Sequence, residues 1–153
     1  MFDYRLEHVF SYSVTLQSPP EILGAVPDGA RANFYVAGGS VTGPKLQGKL
    51  RPAGGDWLTV RTDGVAVLDV RGTIESHDGA LIYVTYSGVG DLGVGGYEKF
   101  LRGEMPPVIA LRVVPRFQTS HAGYLWLNRL QCLGVGEANT ERLEVSYDIY
   151  AIR

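Results

Sequence analysis

The sequence predicts an all-β chain folded as one antiparallel domain. Three observations predict it. Val, Ile, Tyr, Phe, Thr and Trp make up 47 of the 153 residues, against 11 Ala, and β-branched and aromatic side chains suit a pleated, half-buried surface. Glycine supplies 20 residues, close to double the usual ~7%, which implies many turns. Asp63-Gly64 and Asp78-Gly79 each separate two runs of strand-forming residues, the pattern of tight hairpins. The length suits a single domain over residues 1–153.

Taken in order, the first element is the clearest. Phe2, Tyr4, Leu6, His8, Phe10, Tyr12, Val14 and Leu16 share one parity, while Asp3, Arg5, Glu7, Ser11, Ser13 and Thr15 occupy the other. That period of two marks a strand with one buried face. Ser18-Pro19-Pro20 ends it, because proline cannot donate to a ladder. Residues 19–30 read as a loop or short helical turn. Strands are then expected over 31–41, 45–50 and 56–62, divided by Gly43-Pro44 and Gly54-Gly55. Two-residue turns at 63–64 and 78–79 make residues 56–87 a three-stranded meander. Residues 88–96 are a glycine-rich loop, and 97–102 form one or two helical turns. Further strands are expected over 108–117, 124–135 and 142–152, for about nine strands and one or two short helices.

So many strands with so little helix must close or stack, since free edges invite aggregation. With two-residue turns, Trp57, Arg61, Leu68, Val70, Ile74, Leu81 and Tyr83 share one face of the meander. The other face, with Leu58, Val60, Val67, Ile82, Val84 and Tyr86, is also apolar. A free-standing sheet has one wet face. One face therefore lines a barrel interior, and a partner subunit or other chain segments cover the other. A homo-oligomer is the expectation.

Composition excludes several functions. A formal charge of −2 argues against a nucleic-acid partner. No apolar run approaches the ~18 residues of a spanning helix. The first residues alternate charge and bulk, unlike a signal peptide. The expectation is a cytoplasmic protein with no membrane partner. Gly88-Val89-Gly90-Asp91-Leu92-Gly93 matches the dinucleotide fingerprint in letters, but lacks the βαβ unit around it. It reads as a mobile loop or a lid over a barrel mouth. His8, His77 and His121 lack metal-ligand spacing, so neither metal nor cofactor is expected. Cys132 has no neighbouring base and reads as a small buried hydrophobe.

The candidate chemistry lies elsewhere. In Gly54-Gly55-Asp56-Trp57, two glycines allow a sharp bend before a carboxylate and an indole. Asp56 at a barrel rim in apolar surroundings suits a general base with a raised pKa; the alternative is an Asp that caps its own turn. Arg61 and Tyr83, on the face assigned to Trp57, suit stabilisation of oxygen charge, or Arg61 simply pairs with a structural carboxylate. Tyr124, Trp126 and Asn128 alternate along one expected strand face. Two rings and an amide make a wall for a flat ligand; the alternative is a core strand with a satisfied Asn.

The motifs fall in a recognisable order. Gly38-Gly39-x-Val41-x-Gly43-Pro44 precedes Gly54-Gly55-Asp56-Trp57 and Arg61-x-Asp63-Gly64. Leu68-Asp69-Val70-Arg71, Asp78-Gly79-Ala80-x-Ile82-Tyr83 and Pro115-Arg116-Phe117-x-Thr119 follow. Tyr124-x-Trp126-Leu127-Asn128-Arg129 and Tyr147-Asp148-x-Tyr150 complete the series. Across residues 4–151 the chain resembles the DUF3237 family, also called UPF0311. The resemblance implies a single-domain antiparallel β-barrel, lipocalin-like or allene oxide cyclase-like. It implies no reaction and no catalytic set, and the stretch 88–96 departs from the family pattern.

The leading expectation is a cofactor-independent enzyme of isomerase, lyase or cyclase type. Its substrate is a small, partly apolar, carbonyl- or carboxylate-bearing molecule held in the barrel. Asp56 moves a proton, Arg61 and Tyr83 stabilise oxygen charge, and Trp57, Tyr124, Trp126 and Asn128 shape the pocket. The alternative is a non-catalytic barrel that binds a small molecule. A third reading, a purely structural barrel, requires a filled interior.

Overall fold

The structure is a computed structural model that describes residues 2–153. Its strands are β1 (Leu6–Leu16), β2 (Glu21–Val26), β3 (Gly29–Thr42), β4 (Gly48–Val60), β5 (Val65–Ser76), β6 (Leu81–Asp91), β7 (Val108–Gln118), β8 (Cys132–Asn139) and β9 (Glu144–Ile152). A short helix α1 (Gly96–Leu101) follows β6, and a 3-10 helix (Ala122–Arg129) follows β7. Neighbours run antiparallel in the order β1-β9-β8-β7-β6-β5-β4-β3-β2. Ser11–Leu16 of β1 also pair with the Val36–Thr42 half of β3, which closes eight strands into a barrel. The ninth, β2, pairs with Gly29–Asn33, the half of β3 that β1 leaves free.

The number of strands agrees with the sequence reading, but four segments differ. Gly88–Asp91 are not part of a mobile loop or lid: they continue β6, paired with Val65–Leu68 of β5 and, at Gly88–Gly90, with Leu111–Val113 of β7. Residues 45–50 and 56–62 do not form two strands. They belong to one long β4 whose register shifts between Leu50 and Gly54, where Arg51, Pro52 and Ala53 are exposed. Glu21–Val26 is a strand and not a loop. Residues 122–129 are a 3-10 helix, so β8 begins only at Cys132. Tyr124 and Leu127 are its buried residues, and their spacing suits a helix of three residues per turn. Its ends are tied: Gly123 N–H donates to His121 Nδ1 over 3.2 Å, and the Asn128 amide exchanges two 2.8 Å hydrogen bonds with the backbone of Thr119.

The two Asp-Gly turns carry a further correction. Arg61 N–H donates to Val65 O and Gly64 N–H donates to Arg61 O, each over 2.9 Å. The loop is therefore the three residues Thr62-Asp63-Gly64, with Gly64 at φ 85°. His77-Asp78-Gly79 repeats the geometry, with Gly79 at φ 86°. Such loops join a tight turn to a left-handed glycine. The extra residue slips the register by one and exchanges the faces. Val60 pairs with Ala66 and Ile74 with Ile82. Leu58, Val60, Ile82 and Val84 thus join Leu68, Val70 and Ile74 inside, while Trp57, Arg61 and Tyr83 turn outward.

The barrel interior is filled at one end. Phe10, Ile82, Phe117, Leu127 and Ile149 are buried together, and the rings of Phe10 and Phe117 meet edge to face at 5.2 Å. Phe10 is wholly inaccessible. Phe10→Ala is expected to destabilise the fold by about 3–5 kcal/mol, since the surrounding strands cannot collapse into the gap. Urea unfolding measures this, and a loss near zero would contradict the packing described.

Candidate functional site

The other part of the interior is hollow. A cavity of about 690 Å3 lies among the inward side chains of β1, β3, β4, β5, β6, β7, β8 and β9. Leu58, Leu68, Val70, Val84, Leu111 and Val145 make its wall apolar. Ile22, Leu101, Arg102 and Glu141 line it and are also exposed, so they mark its mouth.

Asp56 faces this cavity. The two preceding glycines place it there. Gly54 sits at φ 87°, and a Cβ there would stand 2.1 Å from the carbonyl oxygen of Arg71. A Cβ on Gly55 would stand 2.6 Å from Phe34 O. Only a bare backbone lets β4 thread between β3 and β5 at this point. Gly54→Ala should therefore lower stability by at least about 1 kcal/mol. Thermal melting checks it, and an unchanged melting temperature would sink the account.

Asp56 Oδ1 accepts a 2.9 Å hydrogen bond from the Asp69 amide. Burial nevertheless pushes its pKa up to about 7, opposed by that bond and assisted by the charge of Asp69. Three tyrosines from three strands share the cavity: Tyr12 of β1, Tyr86 of β6 and Tyr147 of β9. The Tyr12 and Tyr147 rings lie 5.3 Å apart and those of Tyr86 and Tyr147 5.5 Å apart. Burial raises the pKa of each, and the charge of Asp56 adds to the rise at Tyr86 and Tyr147. These phenols stay protonated through the neutral range.

Of the residues singled out from sequence, the cavity receives Asp56. Arg61 pairs with Asp63 at the exposed hairpin end. Tyr83 is 43% exposed on the outer wall. Trp57 also faces outward, between the Tyr35 ring at 6.2 Å and the Arg71 guanidinium at 5.6 Å. Tyr124 donates to Asp78 over 2.8 Å, Trp126 carries Lys45 Nζ 6.0 Å from its ring centre, and Asn128 holds Thr119. None of these six lines the cavity. The slipped hairpins removed Arg61, Tyr83 and Trp57; the 3-10 helix removed the other three. Tyr12, Tyr86 and Tyr147 were passed over, although each stands at an inward parity of its strand.

The family model described as "Protein of unknown function (DUF3237)" matches residues 4–152. The chain belongs to the DUF3237 family. A UPF0311 protein of Rhodopseudomonas palustris is 34% identical to this DUF3237 chain over 131 residues, 84% of each. A β-barrel like protein from Acinetobacter baumannii superposes with a TM-score of 0.85 at 29% identity, over 100% of this chain and 98% of that one. A structure described as an enzyme from Penicillium herquei matches with a TM-score of 0.70 at 25% identity, over 100% and 97% of the two chains. No helix among the described residues of this DUF3237 protein is long and apolar enough to cross a membrane.

Proposed function

We propose that this barrel is a cofactor-independent enzyme of isomerase, lyase or cyclase type, acting in its cavity on a small, partly apolar, carbonyl- or carboxylate-bearing molecule. The observation that carries the reading is Asp56: a carboxyl set among the apolar side chains of the cavity wall, with a pKa of about 7. A carboxyl poised there is populated in both forms at neutral pH. It can take a proton from a carbon beside a carbonyl and return it to another position. An isomerisation uses both halves of this transfer, while an elimination or the ring closure of an enolate uses the first half. The apolar wall keeps water from competing and strengthens the polar contacts inside. The size of the cavity, about 690 Å3, falls in the range of ~300–1,000 Å3 usual for small-ligand sites. That the Penicillium herquei neighbour is described as an enzyme supports the same direction.

The test is exchange in heavy water. Small ketones and enones are incubated with the protein, and deuterium at the carbon beside the carbonyl is followed by NMR. Wild-type protein should catalyse exchange and Asp56→Asn should not. Equal exchange by both would remove Asp56 from the chemistry. Retained affinity with no exchange in either protein would favour the binding barrel.

A further inference from the structure

Buried polar atoms in folded proteins nearly always have partners. Two in this cavity do not. Tyr12 is 5% exposed and Tyr147 is 2% exposed, and neither hydroxyl has a hydrogen-bond partner. The Tyr86 hydroxyl stands close enough to both to shift their ionisation, but neither approach reaches the geometry of a hydrogen bond. The arrangement is built into the backbone. Tyr147 lies across Gly136 of β8, where a Cβ would come within 2.4 Å of the ring. Any larger residue would displace the phenol. A fold that keeps two desolvated, unsatisfied hydroxyls beside a cavity is destabilised by them, and a small turn of the rings toward a ligand oxygen would supply what they lack.

We propose that Tyr12, Tyr86 and Tyr147 form a donor site for one oxygen of the substrate, and that the substrate is therefore a neutral ketone, enone or phenol and not a carboxylate. This deepens, and rests on, the reading of the cavity as the place of proton transfer. Phenol hydroxyls aimed at a carbonyl oxygen hold it weakly in the ground state and strongly once enolate charge develops. A carboxylate would arrive already charged. Arg71 and Arg102, the arginines on the cavity wall, are each engaged: Arg71 with Asp69 at 3.2 Å and Arg102 with Glu104 at 3.2 Å. A carboxylate would leave its second charged oxygen with neither a donor nor a free cation, whatever the charge at Asp56, whereas a phenolate or enolate brings one charged oxygen to the three hydroxyls.

The test uses para-nitrophenol, whose colour reports its ionisation, and para-nitrobenzoate. Both are titrated at pH 8 into the Asp56→Asn protein, which carries no charge at that position. The assay needs no turnover, so it can fail or succeed independently of the role given to Asp56. The coloured phenolate should bind, with para-nitrobenzoate at least about tenfold weaker. Tyr12→Phe and Tyr147→Phe should each weaken phenolate binding by about tenfold, as expected for a hydrogen bond to a charged acceptor. Each should also raise the melting temperature by about 2–4 °C, because an unsatisfied hydroxyl is removed. Undiminished phenolate affinity in the Tyr→Phe proteins would overturn the proposal. So would a fall in their melting temperature, which would show that the hydroxyls are paired within the fold, and so would preferred binding of the benzoate.

Discussion

Asp56→Asn should abolish turnover and, at pH 8, raise the melting temperature. The loss of activity follows from removing the proton carrier, an effect of about 100- to 10,000-fold for general base catalysis. The gain in stability follows from the sign of the pKa change. The carboxyl moves from 3.8, its ordinary value, to about 7 in the fold, so the native state holds the proton more tightly than the unfolded chain does. Its contribution is fully present below pH 4 and is lost as the pH rises through 7. The difference amounts to about 4 kcal/mol. Asparagine carries no charge to desolvate, and its carbonyl oxygen can still accept from the Asp69 amide. Melting curves from pH 4 to pH 8 should therefore converge at the acid end and separate by several degrees at the alkaline end. Preserved activity would refute the catalytic assignment. A separation that does not change with pH would refute the buried-carboxyl account of stability.

Val70→Trp should silence the protein without unfolding it. Val70 pairs with Asp56 on one side and with Tyr86 on the other, and its side chain points into the cavity. In a filled core an indole at this position would cause overpacking of about 1–3 kcal/mol. Here the 690 Å3 of open volume receives it. Binding of para-nitrophenol and turnover should both fall by at least about 100-fold, since the ligand loses its place between base and donors. The change in urea midpoint should stay below the overpacking penalty. If binding survives, the ligand sits elsewhere. If the protein unfolds, the space is not free and the structural reading of the barrel gains ground.

Much of the barrel is legible in the chain. The alternation from Phe2 to Leu16 requires one buried face, and the Asp-Gly pairs require turns between neighbouring strands. What the letters do not carry is the length of those turns. Asp-Gly serves a two-residue loop and a three-residue loop equally well, yet the choice decides whether Trp57 or Leu58 faces inward. The 3-10 helix was hidden for a similar reason. Tyr124, Trp126 and Asn128 alternate as a strand would, but the buried spacing that prevails is Tyr124 to Leu127. Asp56 was legible because two glycines before a carboxylate announce a close backbone approach. The tyrosines were not. They are far apart along the chain, and only closure of β1 onto β9 brings Tyr12 against Tyr147.

That seam has a consequence for how the protein comes into being. β1 leaves the ribosome first, yet one of its two partners, β9, leaves last. Arg5 and Arg153 exchange backbone hydrogen bonds of 2.9 Å across the join. Contacts this distant in sequence form slowly, because the intervening loop must be closed before they stabilise anything. Without β9 the sheet is an open ribbon in which β1 and β8 each keep an unpaired edge. It has Asp56 but no Tyr147, and no chamber in which the carboxyl would be desolvated. Closure of the ribbon and desolvation of the carboxyl are thus a single event, completed when β1 meets β9.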